Sequence, residues 1–288
     1  MKKSNLLTGM VRRYTEHEVG RAAASLTYYI LFALFPFLMI ICATLSYSQI
    51  LDMLSGKMST IVPMQVLEVV VSYIQHVEEH GVRHLFLLGS ALMLWSVFRA
   101  IATLMSAMNK AWGIDPGSGK LGKMVAKQLG LTVFVTLCMF LLIAFVALNT
   151  RMIRFFTNPT PGEMMFIRLW GYVRYFLVFA VMYIILSALF RHGPTKELTL
   201  SQVFPGVAFS LACWICFSVL FGWYASNVAN YSNIYGPLGT IIVLLIWINL
   251  SSLFMLLGCE LNAVIDQKRR LRRHKKESEN SAATPDSD

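Results

Sequence analysis

The chain has 288 residues, of which 56% are hydrophobic and only 14% charged, and it carries a formal charge of +10. Soluble domains are about 45–50% apolar and about 25% charged, so this chain lacks the charge that keeps a compact globule dissolved. Its apolar residues gather in blocks of about twenty, which excludes a disordered chain, a disulfide-rich secreted module and most soluble enzymes, and predicts an all-α membrane protein.

Residues 1–24 read as a cytoplasmic N-terminal segment. Leu6, Leu7, Met10, Val11 and Tyr14 recur at helical spacing beside Arg12 and Arg13, which suits either a short amphipathic helix in the inner interface or a solvated lead-in. Residues 25–265 form the membrane domain, because a hydrocarbon core about 30 Å thick needs about 20 apolar residues per crossing. Six spans are expected, at about 26–47, 84–108, 126–148, 172–190, 203–225 and 237–259. The first is longer than a signal-peptide core and lacks a cleavage site. Pro36 interrupts it. In the first outer loop, Val66, Leu67, Val70, Ile74 and Val77 share one helical face behind Pro63, which predicts an amphipathic helix at the outer mouth. The third loop brings Arg151, Arg154 and Arg168 outside with only Glu163 to balance them. Pro205-Gly206 opens the fifth span and Tyr235-Gly236-Pro237-Leu238-Gly239 the sixth, breaks that suit gating or ordinary helix packing. Gly206 and Ser210 make a small-xxx-small pair, a packing signal. Residues 266–288 are a basic and then disordered tail, with seven cations between Lys268 and Lys276 that fit a topology and anionic-lipid anchor.

Lys and Arg set the orientation. Six crossings put both termini on one side, and 18 of the 25 cations fall there, against six on the other side and Arg99 within a span. Both termini are therefore expected in the cytoplasm, with the chain in the cytoplasmic membrane. The spread of these cations along a membrane edge argues against a nucleic-acid surface.

Arg99 is the most informative residue. Its insertion costs about 2.5–3.5 kcal/mol, which the apolar residues around it can offset, but its charge still needs a partner or water. Gly89, Ser96, Arg99, Thr103, Ser106 and Lys110 fall within about a 100° arc, a face expected to look inward. Arg99 then either binds an anionic group such as a lipid phosphate or makes a structural ion pair or carbonyl contact. In the sixth span Asn249 and Glu260 lie about three turns apart and share a face. Glu260 reads as an interfacial carboxylate without a task, a partner for Arg99 or Lys110, or a proton site. Cys213-Trp214-Ile215-Cys216 has a redox spacing but lies mid-span, so buried free thiols are expected. His76, Glu79 and His80 fit a zinc-hydrolase pattern without a third ligand. No metal or cofactor is expected, and the absence of a soluble catalytic domain argues against an enzyme.

Three blocks in order, Ala24-Ser25-Leu26-Thr27-Tyr28-Tyr29 running to Phe35-Pro36, then Ala107-Met108-Asn109-Lys110-Ala111-Trp112, then Tyr235–Gly239 leading to Gly258-Cys259-Glu260-Leu261-Asn262-Ala263, resemble the YihY/BrkB family of bacterial inner-membrane proteins. The resemblance implies a polytopic helical membrane protein. It marks Tyr28, Tyr29, Pro36, Asn109, Trp112, Tyr235, Gly236 and Glu260 as positions to test. An old family label, ribonuclease, conflicts with residues that offer no soluble nuclease domain. Some relatives have been linked to envelope lipids.

These readings converge on a transporter or flippase-like protein for an amphiphilic anionic envelope molecule. Arg99 and Thr103 would bind the head group, Asn249 and Glu260 would line the inner end, and Arg151, Arg154 and Arg168 would receive the anion outside. Membrane lipids are the expected partners. The alternatives are a non-transporting scaffold, working as a homo-oligomer or with an envelope-assembly partner, and, least favoured, a hydrolase using His76, Glu79 and His80.

Overall fold

A computed structural model describes residues 6–44, 86–115, 121–147, 161–227 and 237–283. They form seven helices: α1 Leu6–Glu16, α2 Val19–Thr44, α3 Phe86–Ala111, α4 Leu121–Ala147, α5 Pro161–His192, α6 Leu200–Asn227 and α7 Pro237–Ala283. Five carry stretches long and apolar enough to cross a membrane: Val19–Leu38, Leu88–Ala111, Gly122–Leu142, Leu200–Tyr224 and Ile241–His274. The expected fourth span lies in α5, where the described apolar portion is the shorter Phe176–His192. The outer-mouth helix falls in 45–85, outside the described residues.

The outward faces of these helices are apolar. On α4, Val125, Leu129, Val133, Leu137 and Leu141 are all exposed at four-residue spacing. Such a stripe would be an aggregation liability in water, and a bilayer is the solvent that removes it. Inward-facing residues pack into a main core that includes Leu26, Leu104, Met105, Met108, Phe190 and Val207, with a smaller cluster around Leu244 and Ile248.

A close seam joins α6 to α7, which run antiparallel with contacts every four residues or so. Gln202 Nε2 donates to Asp266 Oδ1 at 3.0 Å, Ser210 Oγ to the Phe254 carbonyl at 3.0 Å, and Trp214 Nε1 to Ser251 Oγ at 3.1 Å. Trp247 Nε1 then returns a bond to Ser218 Oγ at 3.3 Å. The backbones approach so closely that a methyl on Gly206 would overlap the Gly258 carbonyl and the Asn262 amide, and one on Gly258 would overlap Ser210. The Gly206 and Ser210 pair thus packs against Gly258, as small residues do where lipid gives no hydrophobic drive to bring helices together.

Two expected breaks are absent. α2 continues through Pro36, and Pro205 lies inside α6 rather than opening it. Pro205 lacks an N–H and disturbs the local ladder. Beside it Asn262 of α7 clasps the α6 backbone, with Oδ1 accepting from Gly206 N–H at 2.6 Å and Nδ2 donating to the Val203 carbonyl at 3.0 Å. Asn262 is buried, so Asn262→Ala leaves two buried backbone groups without those partners and is expected to cost about 2–4 kcal/mol. Thermal unfolding in detergent measures this, and an Asn262→Ala melting curve that overlays wild type would contradict it.

α7 also departs from expectation. It spans 47 residues, about 70 Å, and so extends well past a 30 Å core. Residues 277–283, expected to be disordered from their polarity, continue the helix. Propagation from an existing helix needs only helix-forming residues such as Lys, Glu and Ala, not burial.

Candidate functional site

The segments expected on one side of the membrane meet at one end of the bundle, which we call the basic end. α1 packs on α2 and α7, and the chain turns between α1 and α2 at Glu18, whose φ of 55° is rare for a residue with a side chain. Arg21 Nη1 lies 2.8 Å and Lys110 Nζ 3.5 Å from the Glu18 carboxylate. One turn earlier, Arg13 donates through Nη1 to the Ala111 carbonyl at 2.8 Å and to Glu260 Oε2 at 3.3 Å, and through Nη2 to Gln267 Oε1 at 2.9 Å. His17 Nδ1 lies 2.5 Å from Glu260 Oε1.

This corrects the reading of Glu260. It is 3% exposed and pairs with Arg13 and His17, not with Arg99 or Lys110. A carboxylate so far from water must be neutralised or paired. Spacing along one helix identifies the face of Glu260 but not the neighbour opposite it. Asn249 shares that face and also meets the N-terminal half of the fold, donating from Nδ2 to Thr27 Oγ1 at 3.2 Å.

The α3 face also departs from expectation. Ser96 and Gly89 are buried, but Arg99, Ser106 and Lys110 are exposed and Thr103 is half-buried. The 100° arc therefore straddles the edge of the bundle, with its centre facing outward. α2 and α3 are antiparallel, and Glu18 stands to Lys110 as Tyr29 stands to Arg99, eleven residues deeper on each helix. Eleven residues are about 16 Å, roughly half a hydrocarbon core. At that depth Arg99 Nη2 donates to the Tyr29 hydroxyl at 3.2 Å, and its guanidinium carbon lies 5.5 Å from the centre of the Tyr29 ring. Among the described residues no carboxylate pairs with Arg99. Tyr29 is itself packed edge-to-face against Tyr28 at 5.3 Å and Trp95 at 6.2 Å. A half-open polar stripe thus climbs the lateral surface from Glu18, Arg21 and Lys110 past Ser25 and Ser106 to Tyr28, Tyr29 and Arg99.

On the inward faces of the same two helices is an apolar cavity of about 280 Å³, walled by Leu26, Ile30 and Phe37 of α2, Met93 and Leu104 of α3 and Met139 of α4. That is near the lower end of ligand-sized cavities, about 300–1,000 Å³. Thr136 lines it, and its buried hydroxyl has no hydrogen-bond partner.

The remaining sequence candidates divide plainly. Thr103 Oγ1 donates to the Arg99 carbonyl at 3.0 Å, a local helix bond that leaves its oxygen toward the stripe. Asn109 Oδ1 accepts from Thr195 N–H at 2.8 Å and ties α3 to the α5–α6 turn. Trp112 packs on the core and Pro36 is buried. Both are structural positions. Cys138, Cys213, Cys216 and Cys259 are free, but of these only Cys259 is buried and Cys216 is exposed, since a helix facing lipid has no need to bury a thiol. Arg151, Arg154, Tyr235 and Gly236 lie outside the described residues, as do His76, Glu79 and His80. Arg168 falls within α5, but its side chain is outside the described set. Reasoning from sequence missed Arg13, His17, Gln202, Asn262 and Asp266. Their only signal was polarity within or beside apolar stretches.

No solved structure matches the chain. It is 29% identical over 269 residues to the ribonuclease-like protein YfkH of Bacillus subtilis, covering 93% of this chain and 97% of that protein. It is 27% identical over 259 residues to the UPF0761 membrane protein NMB0524 of Neisseria meningitidis serogroup B, covering 88% of this chain and 61% of the relative. A further UPF0761 membrane protein, from Chromohalobacter salexigens, is 23% identical over 269 residues, covering 92% of this chain and 64% of the relative. The chain spans about three-fifths of these last two. The family described as Virulence factor BrkB matches residues 10–283, and with a match of that extent on a bundle of membrane-length helices, the chain is an integral membrane protein of the BrkB family.

Proposed function

We propose that the protein binds an amphiphilic anion, of the lipid phosphate class, and moves its head group along the α2–α3 face between the two leaflets. The observation that carries the reading is Arg99. A guanidinium at mid-helix with no carboxylate beside it among the described residues, steadied by a phenol and an aromatic face, leaves donors free for an anion where hydrocarbon would otherwise surround it. Polar side chains descending from there to Lys110 and Arg21 supply a route toward the basic end.

Lipids retained through purification test the proposal. Wild type is expected to carry anionic phospholipid well above its share in the surrounding membrane, and Arg99→Ala to lose that enrichment. Identical lipid profiles for wild type, Arg99→Ala and the bulk membrane would overturn the reading.

A further inference from the structure

At the basic end two cavities adjoin, of about 460 and 430 Å³. Both are lined by Lys196, Asp266 and Arg270, the first also by Arg13 and Lys110 and the second by Arg269 and Arg273. Asp266 is the sole carboxylate in either lining, and it is already engaged by Arg270 Nε at 2.7 Å and by Gln202 at 3.0 Å. Lys196, Arg269 and Arg273 have no acidic partner among the described residues. The positions 266, 269, 270 and 273 form one face of α7, so of the seven cations from Lys268 to Lys276 the three on this face, Arg269, Arg270 and Arg273, are turned to the α5–α6 turn.

The opposite wall is the start of α6. α6 begins at Leu200, and the Thr199 hydroxyl, which would ordinarily cap the first turn as an acceptor, instead donates to Gln202 Oε1 at 2.9 Å. Gln202 in turn is held by Asp266. The Gln202 and Val203 N–H groups already donate to the Thr199 carbonyl at 3.0 and 3.3 Å, so what α6 brings to the second cavity is Ser201 and the positive end of a 28-residue helix.

We infer that this second cavity is a phosphate site at the protein surface, in which the exposed Lys196, Arg269 and Arg273 neutralise a phosphate mono- or diester and Gln202 and Asp266 hold the wall in shape. It is separate from the Arg99 stripe. A head group of an anionic lipid at the membrane edge and a free phosphate in solution would both present the required oxygens.

The test uses the full chain in zwitterionic detergent, with thermal stability followed during titration of inorganic phosphate in one arm and of micelle-borne phosphatidylglycerol in the other. Saturable stabilisation is expected in at least one arm. Response to phosphatidylglycerol alone assigns the lipid source, and response to both assigns a site open to free phosphate. Lys196→Ala and Arg273→Ala are each expected to weaken the response about tenfold, as loss of a charge-assisted bond does. Arg272→Ala, off the α7 arc, should leave it unchanged, and the Lys196→Ala and Arg273→Ala losses should persist when the titrations are repeated in an Arg99→Ala background, where the stripe no longer contributes. The Arg99 variant makes the outcome independent of the transport reading. An absence of saturation in both arms, or an Arg272→Ala loss equal to that of Arg273→Ala, would overturn the site, the latter by showing diffuse attraction to the tail.

Discussion

Glu260→Ala is expected to lower stability by about 3 kcal/mol and to free α1 from the bundle. The carboxylate is 4% exposed and its two partners, Arg13 and His17, are 16% and 20% exposed at their side chains, so neither is fully rehydrated when Glu260 is removed. Breaking one side of a buried pair costs about 3–5 kcal/mol, and the lower end applies because Arg13 retains the Ala111 carbonyl and Gln267. Glu260→Gln keeps the shape and acceptor capacity of one oxygen and is expected to lose roughly half as much. Thermal unfolding gives the magnitude, and limited proteolysis between residues 5 and 18 reports release of α1. A double-mutant cycle with Arg13→Ala should show coupling of about 1–3 kcal/mol. Additive losses, with no added cleavage, would mean that the pair does not hold α1.

Arg99→Ala has the opposite signature, loss of function without loss of fold. Arg99 is exposed and supports no buried partner, so its removal is expected to leave melting temperature and membrane abundance close to wild type. Movement of an anionic head group should fall by about two orders of magnitude, the effect of losing roughly 2–3 kcal/mol of charge-assisted bonding where no water competes. Arg99→Lys should restore part of the rate, since an ammonium keeps the charge but not the planar fork that rests on Tyr29. Tyr29→Phe should cost little, because the ring face remains. A parallel loss of abundance in Arg99→Ala would instead identify Arg99 as a structural residue.

Much of the fold was legible because hydropathy reports membrane-length helices directly, and small residues such as Gly206 and Ser210 report close packing. The site was legible only in part. Arg99 was conspicuous, yet the arc that contains it says nothing about which neighbour covers it, and the structure turns it outward. Glu260 was equally conspicuous, but its partners stand 243 and 247 residues away, a separation that no local pattern bridges. The same holds for Asn262. It looks like one more polar residue at the end of an apolar run, and its task emerges only when Pro205 and Gly206 are found opposite. The length of α7 escaped notice because hydropathy ends where the bilayer ends, while the helix does not.

Movement of fluorescent phosphatidylglycerol between the leaflets of proteoliposomes that contain the purified protein is the most direct test of the central claim. The account predicts faster exchange than in protein-free vesicles, a preference for phosphatidylglycerol over phosphatidylcholine, and loss of that acceleration in Arg99→Ala. Exchange no faster than in protein-free vesicles, or undiminished in Arg99→Ala, would contradict it.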